Sequence, residues 1–185
     1  MFPLPESIIP EFVRTLPLGV KGMSENKNSG QIEQQSHQKE KTDTAGMLNF
    51  IRQGTQMGRQ GILDLLGKTE DPAFRRELKR QLGEYETLYE AADGLLKQQG
   101  AKQEDVSSVA KFSAQMMTAM KTWKDPSVSH MAEMMVQGNT MGVTETIRKQ
   151  KAYRDSGETD PRVEKLAGKF LATEEENVEG MKRFL

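Results

Sequence analysis

From about residue 44 to the end of the chain, apolar residues recur every three or four positions, which places them on one face of an α-helix. No stretch alternates apolar and polar residues with the period of two that a half-buried strand requires. Three Asp-Pro pairs punctuate the pattern, namely Asp71-Pro72, Asp125-Pro126 and Asp160-Pro161. Such an Asp can accept hydrogen bonds from the free amides of a first helical turn, and Pro loses no useful donor there. The sequence therefore predicts an all-α fold.

The spacing predicts five helices, over about 44–67, 72–99, 104–122, 127–155 and 161–184. All but the third are similar in length, roughly 35–43 Å at 1.5 Å per residue. Short loops join the first helix to the second and the fourth to the fifth. We therefore expect two antiparallel hairpins that pack as a four-helix bundle, with the shorter third helix as an extra crossover helix between them.

The N-terminal quarter of the chain has a different composition. Residues 1–22 are apolar but are interrupted by four prolines, and residues 24–44 contain one aliphatic residue and no aromatic one. A segment of that second kind cannot bury enough apolar surface to offset the entropy lost on ordering. We expect a flexible N-terminal arm over 1–44 and one bundle domain over 45–185. The start lacks the basic region and unbroken apolar run of a signal peptide, and translation from Met23 is an alternative.

Composition narrows the functional classes. The 185-residue chain has no cysteine, which excludes disulfides, thiolate metal sites and thiol nucleophiles. Its 26 basic and 27 acidic side chains nearly cancel, so neither nucleic acid nor an anionic membrane is an expected partner. No run of about 18 apolar residues occurs, as a membrane-spanning helix would need. We expect a cytoplasmic protein.

Two runs in the predicted bundle carry a family resemblance, SHMAEMMVQGNTMG at 129–142 and EEENVEGMKRFL at 174–185. Together with the layout of hairpin, crossover and hairpin, they make residues 47–185 resemble uncharacterised bacterial proteins of the ferritin-like superfamily. The resemblance implies a ferritin-like four-helix bundle. Members with a di-iron centre use a Glu from each of two helices and a Glu-x-x-His pair from each of the other two.

This chain departs from that metal pattern. Its last predicted helix offers Glu174-x-x-Asn177 and its second offers Glu84-x-x-Thr87, so both lack the imidazole. The predicted bundle contains a single histidine, His130. A standard di-iron site therefore cannot be assembled, and we predict no cofactor.

One histidine–carboxylate pair at helical spacing leaves an alternative open. His130-x-x-Glu133, completed across the bundle by Glu174 or Glu84, could bind iron or another divalent metal. We favour the other interpretation, in which His130 lies in an exposed first turn and Glu133 complements the positive end of its helix.

Glu174 needs its own explanation, because it falls on the apolar stripe between Phe170 and Val178. A carboxylate facing a core must be paired, bound to a metal or protonated. A small rotation of the helix would instead place it at the edge, with Leu171 and Val178 inside. We expect this edge placement.

The third and fourth predicted helices are rich in methionine, which predicts either core filler or an adaptable face for a partner helix. In the same region, Gly138 and Gly142 predict close packing of a neighbouring helix, and Asn139 and Gln137 beside them predict a buried polar contact. The methionines are Met116, Met117, Met120, Met131, Met134, Met135 and Met141.

The expected function is that of a non-catalytic structural or protein-interaction module whose metal site is degenerate. Its partner would be a second copy or another protein, bound through the third and fourth predicted helices. The alternative is a metal-binding redox or storage-type protein with an atypical site at His130, Glu133, Glu174 and Glu84.

Overall fold

The computed structural model describes residues 42–103 and 127–185, and all of them belong to the unit Lys39–Leu185. Four helices follow one another: α1 (Thr44–Leu66), α2 (Pro72–Gln98), α3 (Val128–Ser156) and α4 (Pro161–Lys182). The all-α prediction is confirmed for this part of the chain, and each of these helices begins and ends within two residues of its predicted limits. The predicted crossover helix (104–122) and residues 1–41 of the predicted arm lie outside the described residues.

Side-chain caps begin all four helices, and the sequence predicted two of them, Asp71 and Asp160. Asp71 accepts a 2.7 Å hydrogen bond from the backbone N–H of Phe74, and Asp160 caps α4 in the same way. The caps of α1 and α3 are Asp43 and Ser127. Each such cap typically contributes about 1 kcal/mol, because it satisfies an amide that the helix itself leaves free.

Two glycines end helices by adopting a left-handed backbone conformation that other residues rarely adopt. Gly157, with φ of 82°, caps α3, and Gly100, with φ of 61°, follows α2.

The helices pack as two antiparallel hairpins, α1 with α2 and α3 with α4, and α2 and α4 contact each other across the two hairpins. Further contacts join α1 to both α3 and α4. Burying each large apolar side chain of the shared core contributes about 1.5–3 kcal/mol. The largest buried side chains are Tyr85, Tyr153, Phe74, Phe170, Met47, Leu48, Ile51, Ile62, Leu65, Leu78, Leu96 and Met131. Within 42–103 and 127–185, no helix is both long enough and apolar enough to cross a bilayer.

The bundle begins slightly earlier than the predicted boundary at residue 45. Thr42 is buried, Asp43 caps α1, and the hydroxyl of Thr44 lies 3.0 Å from the hydroxyl of Tyr153 on α3. These three residues therefore belong to the folded domain rather than to the arm, because the first helix needs its cap and its contact with α3.

The methionines of α3 divide between core and surface. Met131 and Met135 are buried, Met134 is half-buried, and Met141 is exposed. Met131 and Met135 are therefore core residues, and of these four Met141 presents the largest share of its side chain to a partner. The other methionines of the predicted partner face, Met116, Met117 and Met120, lie outside the described residues.

Candidate functional site

A layer of polar side chains crosses the bundle core. Six of them, from α2, α3 and α4, are almost inaccessible to solvent although they lie among apolar neighbours. A buried polar group is costly unless it is hydrogen-bonded, so each member of such a layer requires a partner. The six are Glu77, Gln81, Asn139, Thr146, Glu174 and Asn177.

Glu174 lies inside this layer, so the expected edge placement is wrong. The side chain is only 4% exposed, whereas Leu171 and Val178 are half-buried. The helix is rotated so that Glu174 and Asn177 face inward. This rotation is tolerated because a polar side chain of α2 inside the bundle forms a hydrogen bond with Glu174. The two aliphatic side chains also remain partly covered.

That partner is Tyr85, which joins α3 and α4. Its hydroxyl oxygen lies 3.0 Å from Oε1 of Glu174 and 3.1 Å from Oδ1 of Asn139. The relative exposures are 1% for Tyr85, 4% for Glu174 and 5% for Asn139, so water competes little for these bonds. We call Tyr85, Asn139 and Glu174 the Glu174 triad. Asn139 thus makes the buried polar contact that its position predicted.

The Glu174 triad can keep its hydrogen bonds whether the carboxyl group of Glu174 is protonated or ionised. A phenol carries one proton, so Tyr85 cannot donate both bonds at once. When Glu174 is protonated, its O–H donates to Tyr85, which then donates to Asn139. When Glu174 is ionised, Tyr85 donates to it instead, and an Asn139 amide turned by 180° donates its Nδ2 to Tyr85. As placed, this Nδ2 has no hydrogen-bond partner among the described residues.

Burial raises the pKa of Glu174 to about 8, and the hydrogen bond from Tyr85 opposes this shift only in part. The carboxyl is therefore mainly protonated at neutral pH. Burial, together with the nearby Glu174, also raises the pKa of Tyr85 well above its usual value, so the phenol stays neutral.

A cavity of about 330 Å³ opens beside the Glu174 triad. Its wall combines glycines, aromatic rings and methionines with a few polar side chains, and α1 and α3 contribute most of it. The lining residues are Phe50, Gln53, Gly54, Met57, Gly58, Gly61, Tyr85, Met135, Gly138, Asn139, Met141, Gly142, Glu145, Phe170 and Glu174.

Glycines on α1 and α3 make room for the triad. A Cβ atom on Gly58 would lie 2.6 Å from a ring carbon of Tyr85, and one on Gly142 would lie 2.8 Å from Oε2 of Glu174. Both distances are shorter than real Cβ contacts. The space beside Gly142 is therefore occupied by a carboxyl group from the neighbouring helix, which refines the expected close packing at Gly138 and Gly142.

A second buried carboxyl group, Glu77 on α2, has the opposite environment. Arg80 donates to its Oε1 at 2.6 Å, Gln81 donates to the same oxygen at 3.0 Å, and Arg183 forms an ion pair with Oε2. Burial alone would raise the pKa of Glu77, but these hydrogen bonds and the two positive charges outweigh burial and lower it. We call these four residues the Glu77 cluster.

The structure does not bring together the four residues of the metal hypothesis. His130 lies in the first turn of α3, with Nδ1 3.4 Å from Oε2 of Glu133, and both side chains are substantially exposed. Glu84 forms an ion pair with Arg80 on α2, whereas Glu174 belongs to the buried triad. In the described part of the chain, no group of three or more His, Asp and Glu residues could hold a metal ion.

No protein-family model matches the chain, and no curated protein and no solved structure matches it either. The ferritin-like resemblance and the functions that it implies therefore stay predictions. The function must be inferred from the Glu174 triad and the cavity beside it.

Proposed function

We propose that this protein is a non-catalytic binding protein that holds a small, mainly apolar molecule in the cavity beside the Glu174 triad. The volume of that cavity is the observation that carries the proposal. Protein interiors are close-packed and contain few voids larger than a water molecule. A dry apolar cavity of about 150 Å³ already admits benzene, and ligand pockets begin at about 300 Å³. The cavity of about 330 Å³ therefore suits a molecule of about two fused rings.

The composition of α1 supports the proposal, because the helix loses intrinsic stability where it lines the cavity. Gly54, Gly58 and Gly61 recur at spacings of four and three and all contribute to the wall. Each glycine inside a helix costs about 0.5–1 kcal/mol relative to alanine. Gly54 and Gly58 make room for the rings of Phe170 and Tyr85, since a Cβ atom there would lie 2.8 Å and 2.6 Å from a ring carbon, and both rings form part of the cavity wall.

The chemistry of the lining favours binding over catalysis. Its deep polar groups are the carboxyl of Glu174, the phenol of Tyr85 and the amide of Asn139. They can hold the polar end of a ligand by hydrogen bonds. The one hydroxyl among the described lining residues is the phenol of Tyr85, and burial together with Glu174 raises its pKa, so it stays neutral and acts as a hydrogen-bonding group rather than a nucleophile.

Binding of 2-naphthylmethanol, a neutral two-ring alcohol, tests the proposal. We expect backbone amide NMR signals of cavity residues such as Gly58 and Gly142 to shift on titration. Met135→Trp, which adds volume at a buried lining position, should weaken binding at least tenfold. Met134→Trp is the matched control, because this neighbour is half-buried and does not line the cavity.

Thermal unfolding of both variants confirms that each is folded under the conditions of the titration. Equal affinity in Met135→Trp and wild type would contradict the proposal, and so would the absence of binding at millimolar alcohol.

A second candidate function is self-association through α3. Met141 and Ile147 are both 52% exposed, although side chains of their kind are usually covered. Size-exclusion chromatography with light scattering measures the oligomeric state. If α3 forms the interface, Met141→Gln combined with Ile147→Gln shifts an oligomer to the monomer. A wild-type chain that is monomeric at all concentrations removes this candidate.

A further inference from the structure

The described lining of the cavity contains acidic side chains but no basic ones. Its ionisable carboxyl groups are Glu174 and Glu145, and none of the described lining residues is Lys, Arg or His. Glu145, on α3, already has a cationic partner, because Arg148 donates to it at 2.6 Å. Glu174 is hydrogen-bonded to the neutral Tyr85, so it is the carboxyl group through which the lining can pair with a ligand cation.

One oxygen of Glu174 is placed for such a ligand. The described hydrogen bond of the carboxyl group uses Oε1, whereas Oε2 lies beside Gly142, itself a lining residue. This oxygen therefore lies between two residues that line the cavity. Gly142 leaves room for Oε2, because a Cβ atom there would come within 2.8 Å of it.

The rest of the wall suits an organic cation. Phe50, Tyr85 and Phe170 bring three aromatic rings to the cavity, and Phe50 and Phe170 meet edge to face with ring centroids 6.1 Å apart. The negative faces of aromatic rings attract ammonium groups, and the rings also cover the apolar part of a ligand. An anionic ligand would instead meet Glu174 and Glu145 without a lining cation.

We infer that the ligand is a small hydrophobic amine whose ammonium group pairs with the carboxylate of Glu174 while its apolar part fills the cavity. This inference rests on the proposed function, since it assigns the ligand class of the same cavity. The Glu174 triad permits the pairing, because Tyr85 can donate to the ionised carboxylate while a turned Asn139 amide donates to Tyr85.

Binding of the amine is coupled to release of a proton. The ionisable residues that line the cavity with Glu174 are Tyr85 from α2 and Glu145 from α3, and the described lining residues of α1 include none. Since the pKa of Glu174 is about 8, the carboxyl of the free protein must lose its proton before it can pair. The affinity should therefore rise about 50-fold from pH 6 to pH 8, where the ligand itself stays charged.

Three ligands that share one ring system separate the alternatives: 2-naphthylmethylamine, 2-naphthylmethanol and 2-naphthoate. Isothermal titration calorimetry at pH 6, 7 and 8, in buffers of different ionisation enthalpy, measures both affinity and proton release. We expect the amine to bind most tightly and to release about one proton at pH 6, whereas the alcohol shows no dependence on pH.

Glu174→Gln keeps the shape of the side chain and should reduce the preference for the amine over the alcohol at pH 8 to less than threefold. Glu175→Gln, at the exposed next position of α4, is the matched control and should change nothing. If Glu174→Gln does not fold, proton release by the wild-type protein still decides the question.

The outcomes distinguish this inference from the proposed function. If the alcohol binds as tightly as the amine and the affinity of the amine does not change with pH, the inference is overturned and the binding function stands. Tightest binding of 2-naphthoate has the same consequence. If none of the three binds at millimolar concentration, both the inference and the proposed function fail.

Discussion

Glu77 and Glu174 are buried to nearly the same extent, at 5% and 4% exposure, yet their neighbours give them opposite protonation. Two arginines and a glutamine contact the first carboxyl, whereas the phenol of Tyr85 is the hydrogen-bond partner of the second. Burial disfavours the charged form in both cases, and only the Glu77 cluster supplies enough positive charge and hydrogen bonding to reverse the effect. The charge of a buried residue in this bundle therefore depends on its partners across the helix interface.

The raised pKa of Glu174 makes stability fall as pH rises. The unfolded chain releases this proton at about pH 4.3, whereas the folded protein holds it until about pH 8. The stabilising contribution is therefore complete below about pH 4.3 and is lost as pH rises toward 8, by at most about 1.4 kcal/mol per pH unit. Glu174→Gln lacks this dependence.

Urea unfolding followed by circular dichroism at pH 5, 6, 7, 8 and 9 measures the effect. We expect the free energy of unfolding of the wild type to decrease relative to Glu174→Gln up to about pH 8 and to level off above it. Glu175→Gln should instead run parallel to the wild type. If Glu174→Gln also runs parallel to the wild type, Glu174 has an ordinary pKa in the folded protein.

Helix positions were predictable because their signals are local. A cap such as Asp71 or a left-handed glycine such as Gly157 acts within one turn of its own helix, so its effect can be recognised in the sequence alone. The rotation of α4 was not predictable in this way. Spacing permitted either Glu174 or Leu171 to face inward, and the decision depends on Tyr85, which is 89 residues away in the chain.

The same limit applies to the candidate site. Asn139 was predicted as a buried polar contact because it lies beside two glycines on a helix. Glu77 and Gln81 were missed, although successive spacings of four, from Glu77 to Gln81 and from Gln81 to Tyr85, place all three on one face of α2. This spacing was the sequence signal that could have identified Glu77 and Gln81 as inward-facing residues. The cavity itself left none, because it arises only where glycines of α1 and α3 meet.

Glycines of similar sequence context should respond oppositely to alanine. In α1, Gly58→Ala would drive a Cβ atom to 2.6 Å from the buried ring of Tyr85, so we expect it to destabilise the protein by about 1–3 kcal/mol. In α2, Gly83 is exposed, and a Cβ atom there would meet no other atom within 4 Å, so Gly83→Ala should stabilise the protein by about 0.5–1 kcal/mol. Urea unfolding at pH 7 measures both. If both substitutions raise the free energy of unfolding equally, Gly58 is not packed against Tyr85.

Polar contacts connect the two hairpins of the whole bundle. The Glu174 triad joins α2 to α3 and α4, and the Glu77 cluster joins α2 to Arg183 just beyond α4. Arg80 reinforces the second junction by donating to Oδ1 of Asn177 at 3.0 Å. Such contacts are directional, so they favour one alignment of the hairpins over neighbouring ones that apolar side chains alone would tolerate.

The Glu77 cluster should stabilise the bundle at neutral and mildly acidic pH and lose this contribution in stronger acid. Because the pKa of Glu77 is lowered, its contribution is present above about pH 4.3 and is lost as pH falls through the lower value of the folded protein. Glu77→Gln should destabilise the protein by about 1–3 kcal/mol at pH 5, since Arg80 and Arg183 lose a charged acceptor but remain partly exposed to water. Urea unfolding at pH 5 measures the loss. Glu176→Gln, at an exposed position of α4, is the control, and an equal effect of both substitutions would contradict the role of the cluster.

The combined contribution of Glu77 and Glu174 to the free energy of unfolding should be greatest in mild acid. Glu77 loses its contribution below about pH 4, and Glu174 loses its own progressively above about pH 4.3, so their sum is greatest at about pH 4–5. In a double variant, Glu77→Gln with Glu174→Gln, both dependences disappear. The difference in unfolding free energy between the wild type and this variant should therefore peak at about pH 4–5 and decrease on both sides. Urea unfolding from pH 3 to pH 9 measures that difference, and a curve that rises steadily to pH 9 would contradict the neutral state assigned to Glu174.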